Sequence, residues 1–218
     1  MLRDKVRATH TLSVNEIYET VQGEGLLVGT PSLFIRLQGC NLRCPWCDQP
    51  EALEFKRKPI LIEELLKKLS TSKTRHVVIT GGEPLAHSNV HILVKTLLGE
   101  GFSVQIETNG TLWNEGLEDV AERIHITCSP KAVANFFVHP KILMYAKELK
   151  FVVDEELSEE SLLREEFKSF LEKGVVVLQP EGNKQTYISK ALVIQDLLLE
   201  RGFPVRVIPQ IHKFLGIR

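Results

Sequence analysis

Three of the four cysteines in this 218-residue chain lie within eight residues, in the stretch GCNLRCPWCD that runs from Gly39 to Asp48. Cys40, Cys44 and Cys47 are separated by three and then by two residues. Thiolates are soft ligands, so three of them on one loop can hold zinc or an iron–sulfur cluster, or can fall together by chance. Three thiolates on a cluster of four irons would leave one iron open to a small molecule, as in catalytic metal sites. The loop is therefore predicted to be a reaction centre.

The fourth cysteine, Cys128, ends the apolar run IHITC. Free cysteine is among the most buried residue types, so a core position is predicted for it. The alternative is that Cys128 or Asp48 completes a set of four ligands. The protein would then be a non-catalytic zinc or electron-transfer module.

Composition argues against several classes of protein. The chain has 27 basic and 28 acidic side chains and a formal charge of −1, which gives no basic surface for nucleic acid or an anionic membrane. The first residues, MLRDKVRATHTLSV, lack an apolar signal-peptide core, and no stretch has the ~20 apolar residues of a membrane span. We expect a cytoplasmic protein with neither nucleic acid nor membrane as a partner. In that reducing compartment, clustered cysteines serve metal binding or catalysis more often than disulfides.

The elements that must position these residues alternate between short β-branched runs and amphipathic helices. The predicted strands are Leu33–Leu37, His76–Thr80, Ser103–Glu107, Ile124–Cys128, Leu149–Val153, Val175–Gln179 and Val205–Pro209. The predicted helices lie within 60–70, 88–101, 158–174 and 188–202, with Ser88 and Ser158 as N-caps and Gly99 or Gly101, Gly174 and Gly202 as stops. This alternation predicts a single α/β domain with a mostly parallel sheet. A complete eightfold barrel needs ~250 residues, so a partial, open barrel or an open doubly wound sheet is favoured.

Six of the seven predicted strands are followed by polar or glycine-rich segments. These segments are GCNLRCPWC, GGEP, TNG, SPK, QPEGN and QIHKF. The carboxyl ends of parallel strands meet at one edge of a sheet, where ligands gather in such folds. The sequence therefore predicts a binding site at this edge.

The cysteine spacing, with Trp46 directly before the third cysteine, resembles the signature of radical S-adenosylmethionine (SAM) enzymes. The resemblance implies that Cys40, Cys44 and Cys47 hold a [4Fe–4S] cluster and that the amino and carboxylate groups of SAM chelate the open iron. The segment GGEP at 81–84 resembles the family segment that binds the amino group of the cofactor. Its glycines allow the backbone to approach a ligand closely.

Motifs from residue 14 to the end of the chain resemble the 7-carboxy-7-deazaguanine synthases. They are YETVQGEG, FIRLQGCNL, IETNG, SPK, ELKFVV, LQPEGN and PQIHKFLGIR. The resemblance implies a partial TIM-like barrel that forms a single radical SAM domain over 1–218, with short N-terminal and C-terminal substrate-binding extensions. It implies a lyase that converts 6-carboxy-5,6,7,8-tetrahydropterin to 7-carboxy-7-deazaguanine with loss of ammonia, for queuosine and other 7-deazapurines. It also implies a homodimer and a one-electron donor such as flavodoxin or ferredoxin.

The same resemblance assigns binding roles, residue by residue. The expected SAM contacts are Trp46, Cys47, Asp48, Gly81, Gly82, Glu83, Gly110, Ser129, Pro130, Lys131, Gln179, Pro180, Glu181 and Gly182. The expected pterin contacts are Val21, Gln22, Gly23, Glu24, Arg36, Thr108, His212 and Arg218. Arg36 is expected to grip the substrate carboxylate through two parallel hydrogen bonds. The terminal carboxylate of Arg218 is expected to hydrogen-bond the pterin, so residues added after it should weaken turnover.

Two positions depart from the family pattern. Many members carry a Thr or Ser where this chain has Gln49, and that hydroxyl helps to bind a Mg²⁺ that bridges to the substrate. The side-chain carbonyl of Gln49 is also a hard oxygen ligand that suits Mg²⁺. Glu181 lies in the variable turn beside the expected adenine contact. The alternative enzyme is a glycyl-radical-type activase of a partner protein, which would leave QGEG and HKFLGIR unexplained.

Overall fold

The computed structural model describes residues 10–55 and 59–217, and that part of the chain forms nine strands and seven α-helices. It divides into two compact units. The first unit comprises the described residues up to Val21, with Thr30–Thr108 and Leu112–His125. The second comprises Gln22–Gly29, Asn109–Thr111 and the chain from Ile126 onward. The prediction of one domain over 1–218 stays a prediction.

The first unit contains a five-stranded part of the sheet. Its strands and helices are β1 (Thr11–Val21), β2 (Pro31–Leu37), β3 (Pro59–Leu61), α1 (Ile62–Leu69), β4 (His76–Gly81), α2 (Val90–Gly99) and β5 (Ser103–Thr108). The strand order is β3-β1-β2-β4-β5, in which β1 runs antiparallel to both of its neighbours and β2, β4 and β5 are parallel. The carboxyl ends of β2 and β4 therefore carry the cysteine loop and GGEP on one edge of this unit, as predicted, and β5 ends there at Thr108.

The second unit contains four parallel strands and most of the helical residues. Its elements are β6 (His125–Cys128), α3 (Pro140–Tyr145), β7 (Glu148–Val153), α4 (Glu159–Leu162), α5 (Lys168–Glu172), β8 (Val176–Pro180), α6 (Gln185–Glu200), β9 (Arg206–Val207) and α7 (Ile211–Leu215). The strand order is β6-β7-β8-β9. SPK follows β6, and QPEGN begins with the last two residues of β8, again at carboxyl ends.

Apolar residues at strand and helix spacing form the core of each unit. In α1 the residues Ile62, Leu65 and Leu69 recur every three to four positions and are buried, while the charged residues between them face water. In the second unit Phe151 is fully buried and lies edge-on to Phe167, with ring centroids 5.3 Å apart. Such aromatic pairs stabilise a core beyond the area they bury.

The fold class is mixed α/β, with mostly parallel strands in an open sheet, as expected. The seven predicted strands are present, although only Arg206–Val207 of the run 205–209 is extended. Ser158 accepts a hydrogen bond from the Ser161 amide and caps α4. Gly174 and Gly202 have positive φ just after α5 and α6, so they end these helices as predicted.

Four expectations were wrong or incomplete. Strand β1 escaped prediction because a bulge between Val14 and Glu16 breaks its alternation of buried and exposed residues. Asn89, and not Ser88, precedes α2 and makes no side-chain cap. The run 158–174 is not one helix but α4, a 3-10 turn at Glu165–Phe167 and α5. The short elements β3, α3 and α7 were also missed.

Among the described residues, no helix is long and apolar enough to cross a membrane.

Candidate active site

The cysteine loop follows β2, and the residues at its two ends are hydrogen-bonded to each other. The amide of Gly39 donates to the Ala52 carbonyl at 2.7 Å, and that of Cys40 donates to the Leu53 carbonyl at 2.9 Å. The side chain of Gln38 is buried, and its Nε2 donates to two further carbonyls of the returning segment, at 2.8 and 2.6 Å. Residues 40–49 are thus a closed loop with a base fixed by four hydrogen bonds.

The three thiols of this loop differ in exposure. Cys40 is buried, whereas Cys44 and Cys47 are half-buried, and all three are free thiols. Burial raises the pKa of the Cys40 thiol, although the Leu42 amide 3.4 Å from its Sγ works in the opposite direction. An amide that points at sulfur favours the thiolate, which is the form that binds metal.

The GGEP turn lies directly against the base of this loop. A Cβ on Gly82 would come within 2.8 Å of the Ala52 carbonyl oxygen and closer still to the backbone of Gly39. Gly81 has φ +126° and equally little room beside the Leu37 backbone. Only glycine fits at these two positions, because the backbones of the two segments are in contact.

Glu83 and Thr108, from the ends of β4 and β5, meet in this unit. Both are buried, and the Thr108 hydroxyl donates to Glu83 Oε1 at 2.7 Å. The same oxygen accepts the Leu85 amide at 2.9 Å. The sequence assigned Glu83 to the cofactor and Thr108 to the substrate; the structure places them in direct contact.

Arg36 lies on β2 beside two residues of β1. Its Nε donates to Glu16 Oε1 at 2.8 Å and its Nη2 donates to the Tyr18 hydroxyl at 2.7 Å. Burial opposes the charged guanidinium, but the neighbouring Tyr18 and Glu16 raise the pKa of Arg36 above its ordinary value. Burial also raises the pKa of Tyr18. Arg36 is therefore a cation whose orientation is fixed.

In the second unit, the QGEG segment surrounds a buried carboxylate. Glu24 pairs with Lys150 of β7, and its Oε1 accepts from Gln210 Nε2 at 2.7 Å. Burial alone would raise the pKa of Glu24, but the Lys150 charge and the two hydrogen bonds outweigh burial and lower the pKa to about 2. Gln22 is also buried, and its Oε1 accepts the Glu24 amide at 3.1 Å.

The C-terminal helix α7 lies beside this segment. The Ile211 amide donates to the Gly23 carbonyl at 2.9 Å. A Cβ on Gly23 would come within 2.9 Å of His212 Cβ and closer to its ring, so Gly23 and His212 are in contact. Arg218 lies outside the described residues, and its expected role stays a prediction.

The expected SAM residues of the second unit lie at Gly110 and at the carboxyl ends of β6 and β8. Lys131 Nζ donates to Ser129 Oγ at 2.6 Å. Gly110 has φ +79°, and a Cβ there would lie 2.5 Å from Cys128 Sγ, so Cys128 is a buried core residue as predicted. Gln179 is buried at the end of β8, and its Oε1 has no hydrogen-bond partner among the described residues.

The remaining expected residues lie at the ends of strands or in the turns that follow them. Val21 ends β1, Pro130 lies between Ser129 and Lys131, Pro180 ends β8, and Glu181 and Gly182 form the turn that follows β8. Glu181 pairs with Lys184. Trp46 and Gln49 are half-buried and Asp48 is exposed on the cysteine loop.

Comparisons with known proteins show the family of this chain. The family model described as the Radical SAM superfamily matches residues 34–152. A 7-carboxy-7-deazaguanine synthase of Aquifex aeolicus is 61% identical over 219 residues and covers 100% of both chains. The chain belongs to the 7-carboxy-7-deazaguanine synthase family of radical SAM enzymes.

Further relatives support the same family. The 7-carboxy-7-deazaguanine synthase of Rickettsia prowazekii is 37% identical over 94% of this chain and 88% of its own length. The crystal structure of QueE from Escherichia coli matches with a TM-score of 0.72 at 30% identity, over 93% of this chain and 95% of that one. Streptococcus suis SuiB, solved bound to S-adenosylmethionine, shares the fold with a TM-score of 0.54 at 17% identity, over 83% of this chain and 46% of its own.

The residues of this radical SAM enzyme suit the [4Fe–4S] cluster and SAM that its family uses. Three free thiols project from a loop with a fixed base, and thiolates are the ligands that iron–sulfur clusters take. Within residues 10–55 and 59–217, no three His, Cys, Asp or Glu side chains lie close enough together to hold a single metal ion. In a [4Fe–4S] cluster each thiolate binds a different iron, so the three thiols are spaced around a cube and not around one ion. The buried Oε1 of Gln179 is an acceptor of the kind that an adenine amino group requires.

Sequence reasoning missed five residues that hold the expected site residues of this synthase family member in place: Glu16, Tyr18, Gln38, Lys150 and Gln210. Glu16 and Tyr18 lie two residues apart just before QGEG, which is a strand spacing that could have revealed them. For Lys150 and Gln210 no local signal exists, because their shared neighbour Glu24 is more than 120 residues away in sequence.

Proposed function

We propose that this chain converts 6-carboxy-5,6,7,8-tetrahydropterin to 7-carboxy-7-deazaguanine and releases ammonia, for the biosynthesis of queuosine and related 7-deazapurines. The observation that carries the proposal is the 61% identity to a 7-carboxy-7-deazaguanine synthase over the full chain. That match includes both the QGEG segment and the C-terminal HKFLGIR. The activase and the zinc module leave both segments without a role.

Cys40, Cys44 and Cys47 would hold the cluster, and SAM would fill the iron position that they leave open. When bound, the cluster and SAM supply one-electron cleavage of a sulfonium bond and abstraction of a hydrogen atom from the pterin. The protein's own part is to bind, orient and exclude water. The hydrogen bonds of Gln38 and Gly39 at the base of the loop support this, since they hold the two ends of the segment that carries the thiolates.

In the first unit, we assign the GGEP turn to the amino group of SAM and Arg36 to the carboxylate of the pterin. The backbone at Gly81 and Gly82 can approach a ligand closely, and Glu83 brings a buried acceptor beside Thr108. The guanidinium of Arg36 retains donors beyond the two that Glu16 and Tyr18 engage. A cation held by two neighbours loses little freedom when it binds an anion.

In the second unit, we assign Ser129, Pro130, Lys131 and Gly110 to SAM, together with Gln179, Pro180, Glu181 and Gly182 for its adenine. We assign Gln22, Gly23, Glu24 and His212, with Val21 of the first unit and the terminal Arg218, to the pterin. A Glu24 carboxylate with a pKa of about 2 stays ionised at neutral pH and can accept hydrogen bonds from the N–H groups of a pterin ring. Glu24 therefore carries no proton at neutral pH, and its carboxylate acts as a hydrogen-bond acceptor.

Three finer assignments complete the proposal. Gln49 offers a carbonyl oxygen for Mg²⁺. The enzyme takes its electron from a small donor such as flavodoxin or ferredoxin and works as a homodimer. We place it in the cytoplasm, where free thiols such as its four cysteines persist.

The test is an anaerobic assay of the protein reconstituted with iron and sulfide, with SAM and the pterin, with and without Mg²⁺. Product and ammonia are expected, and iron and sulfide should be present in the protein. Cys44→Ala should abolish both the cluster and turnover, whereas the matched control Cys128→Ala should keep both. Zinc without sulfide, or a glycyl radical on a partner protein without pterin turnover, would replace this function with one of the alternatives.

A further inference from the structure

The C-terminal segment that carries His212 is held by polar contacts and not by a core. Helix α7 has only five residues and buries none of them. Its apolar side chains face water: Phe214 is 63% exposed and Leu215 is 59% exposed. A single helical turn does not persist in water on its own propensity, so the contacts at its start decide where it lies.

Besides the hydrogen bond from the Ile211 amide to Gly23, those contacts involve Gln210, the residue before α7, and Asn183 makes two of them. Asn183 Oδ1 accepts the Gln210 amide at 2.8 Å, and Asn183 Nδ2 donates to the Gln210 carbonyl at 2.9 Å. One side chain therefore grips both polar groups of the Gln210 backbone. Gln210 is buried, and its own side chain donates to Glu24.

The backbone at Asn183 is itself unusual. Its φ is +55°, a left-handed conformation that Asn tolerates better than most residues and Gly adopts freely. This conformation lies in the turn Glu181–Asn183 that follows β8. It directs the amide of Asn183 towards the C-terminal segment, so the turn and that segment share one pair of hydrogen bonds.

We propose that Asn183 is a positioning residue that fixes α7 and His212 against the QGEG segment. This inference rests on the proposed function, in which the turn after β8 meets SAM and the C-terminal segment meets the pterin. With Asn183 in place, the turn and the segment move as one body. Binding of SAM at the turn then favours binding of the pterin beneath α7, and the reverse holds to the same degree because such coupling is reciprocal.

The test compares Asn183→Gly with wild type. Glycine keeps the left-handed backbone and removes only the amide, so the turn itself is expected to fold normally. Loss of two hydrogen bonds shifts an opening equilibrium by roughly tenfold or more. Hydrogen exchange of the ligand-free protein should therefore quicken by about that factor at the amides of Ile211, Lys213 and Ile217, which are bonded in or beside α7.

A matched control is available at Asn135, which is also left-handed, with φ +49°, and lies in the same unit. Its side chain accepts from Arg164 and not from the C-terminal segment. Asn135→Gly should leave exchange in α7 unchanged. Asn183→Asp keeps the acceptor for the Gln210 amide and loses the donor, so its exchange should fall between those of wild type and Asn183→Gly.

In turnover, Asn183→Gly should raise the KM for the pterin by about tenfold and change kcat less, and bound SAM should no longer strengthen pterin binding. Unchanged exchange in α7 would overturn the proposal, as would faster exchange with an unchanged KM for the pterin. If the wild-type enzyme does not turn over the pterin, the proposed function fails, while the exchange experiment still decides whether Asn183 holds α7.

Discussion

The ion pair between Glu24 and Lys150 gives the sharpest quantitative prediction, through the variant Lys150→Met. Both side chains are largely buried, with 17% and 7% of their side-chain surfaces exposed. Methionine has a similar length and no charge, so the variant leaves the Glu24 carboxylate buried without its cation. Removing one member of a buried pair costs more than the pair contributes, because the remaining charge is no longer compensated.

The magnitude follows from the pKa of Glu24. A carboxyl whose pKa falls from 4.5 to about 2 on folding stabilises the native state by about 3 kcal/mol at neutral pH. Because the folded pKa is the lower one, this stability is present above pH ~4.5 and is lost as the pH falls towards about 2. In Lys150→Met burial, the largest influence on Glu24, remains, and of the groups that lower its pKa only Gln210 and His212 are left, so the folded pKa of Glu24 should rise above its ordinary value of 4.5. The sign then reverses, and the variant should lose stability as the pH rises through that value.

The assay is urea unfolding of wild type and variant at pH 7 and at pH 5. We expect Lys150→Met to lose about 3 kcal/mol or more at pH 7 and clearly less at pH 5, where the buried carboxyl is partly protonated. Adding Glu24→Gln to Lys150→Met should restore much of the loss at pH 7, since no charge is then left buried. The control Lys67→Met breaks an exposed pair with Glu63 and should change stability by less than about 0.5 kcal/mol. An equal loss at both pH values would refute the electrostatic reasoning and indicate a packing defect.

Three further predictions concern the first unit. Gly82→Ala should lower the iron bound after reconstitution several-fold, because its Cβ would displace the backbone of Gly39. Gly101→Ala is strained by its φ of +81° but meets no atom within 4 Å, so it should bind iron normally; equal iron contents would contradict this. Gln38→Leu removes both side-chain hydrogen bonds at the base of the cysteine loop and should speed the loss of iron to a chelator several-fold, with an unchanged rate as the opposing result. Arg36→Lys cannot make two parallel hydrogen bonds and should raise the KM for the carboxylated pterin about tenfold or more, measured by steady-state kinetics; an unchanged KM would remove Arg36 from the carboxylate site.

The fold was predictable where a single local rule governs a segment. The runs around Ile79 and Phe151 are β-branched or aromatic and buried, so they predict strands directly. Strand β1 alternates buried and half-buried residues only as far as Val14, because a bulge interrupts its register there and no later residue of the strand is buried. Helix α7 follows no local rule, since five residues with no buried side chain carry no periodic signal. Prediction failed where the position of a segment depends on a neighbour and not on its own sequence.

The site likewise has parts that consecutive residues reveal and parts that depend on distant segments. The cysteine loop and GGEP are short motifs whose chemistry is visible in consecutive residues. The network around Glu24 joins residues 24, 150, 183 and 210, which come from four separate segments of the second unit. Glu24 lies between two glycines, and only 17% of its side-chain surface is exposed, because a lysine and a glutamine from distant segments compensate its charge. That burial makes QGEG, β7 and the start of α7 mutually dependent. Lys150→Met should therefore speed hydrogen exchange in α7, as Asn183→Gly does.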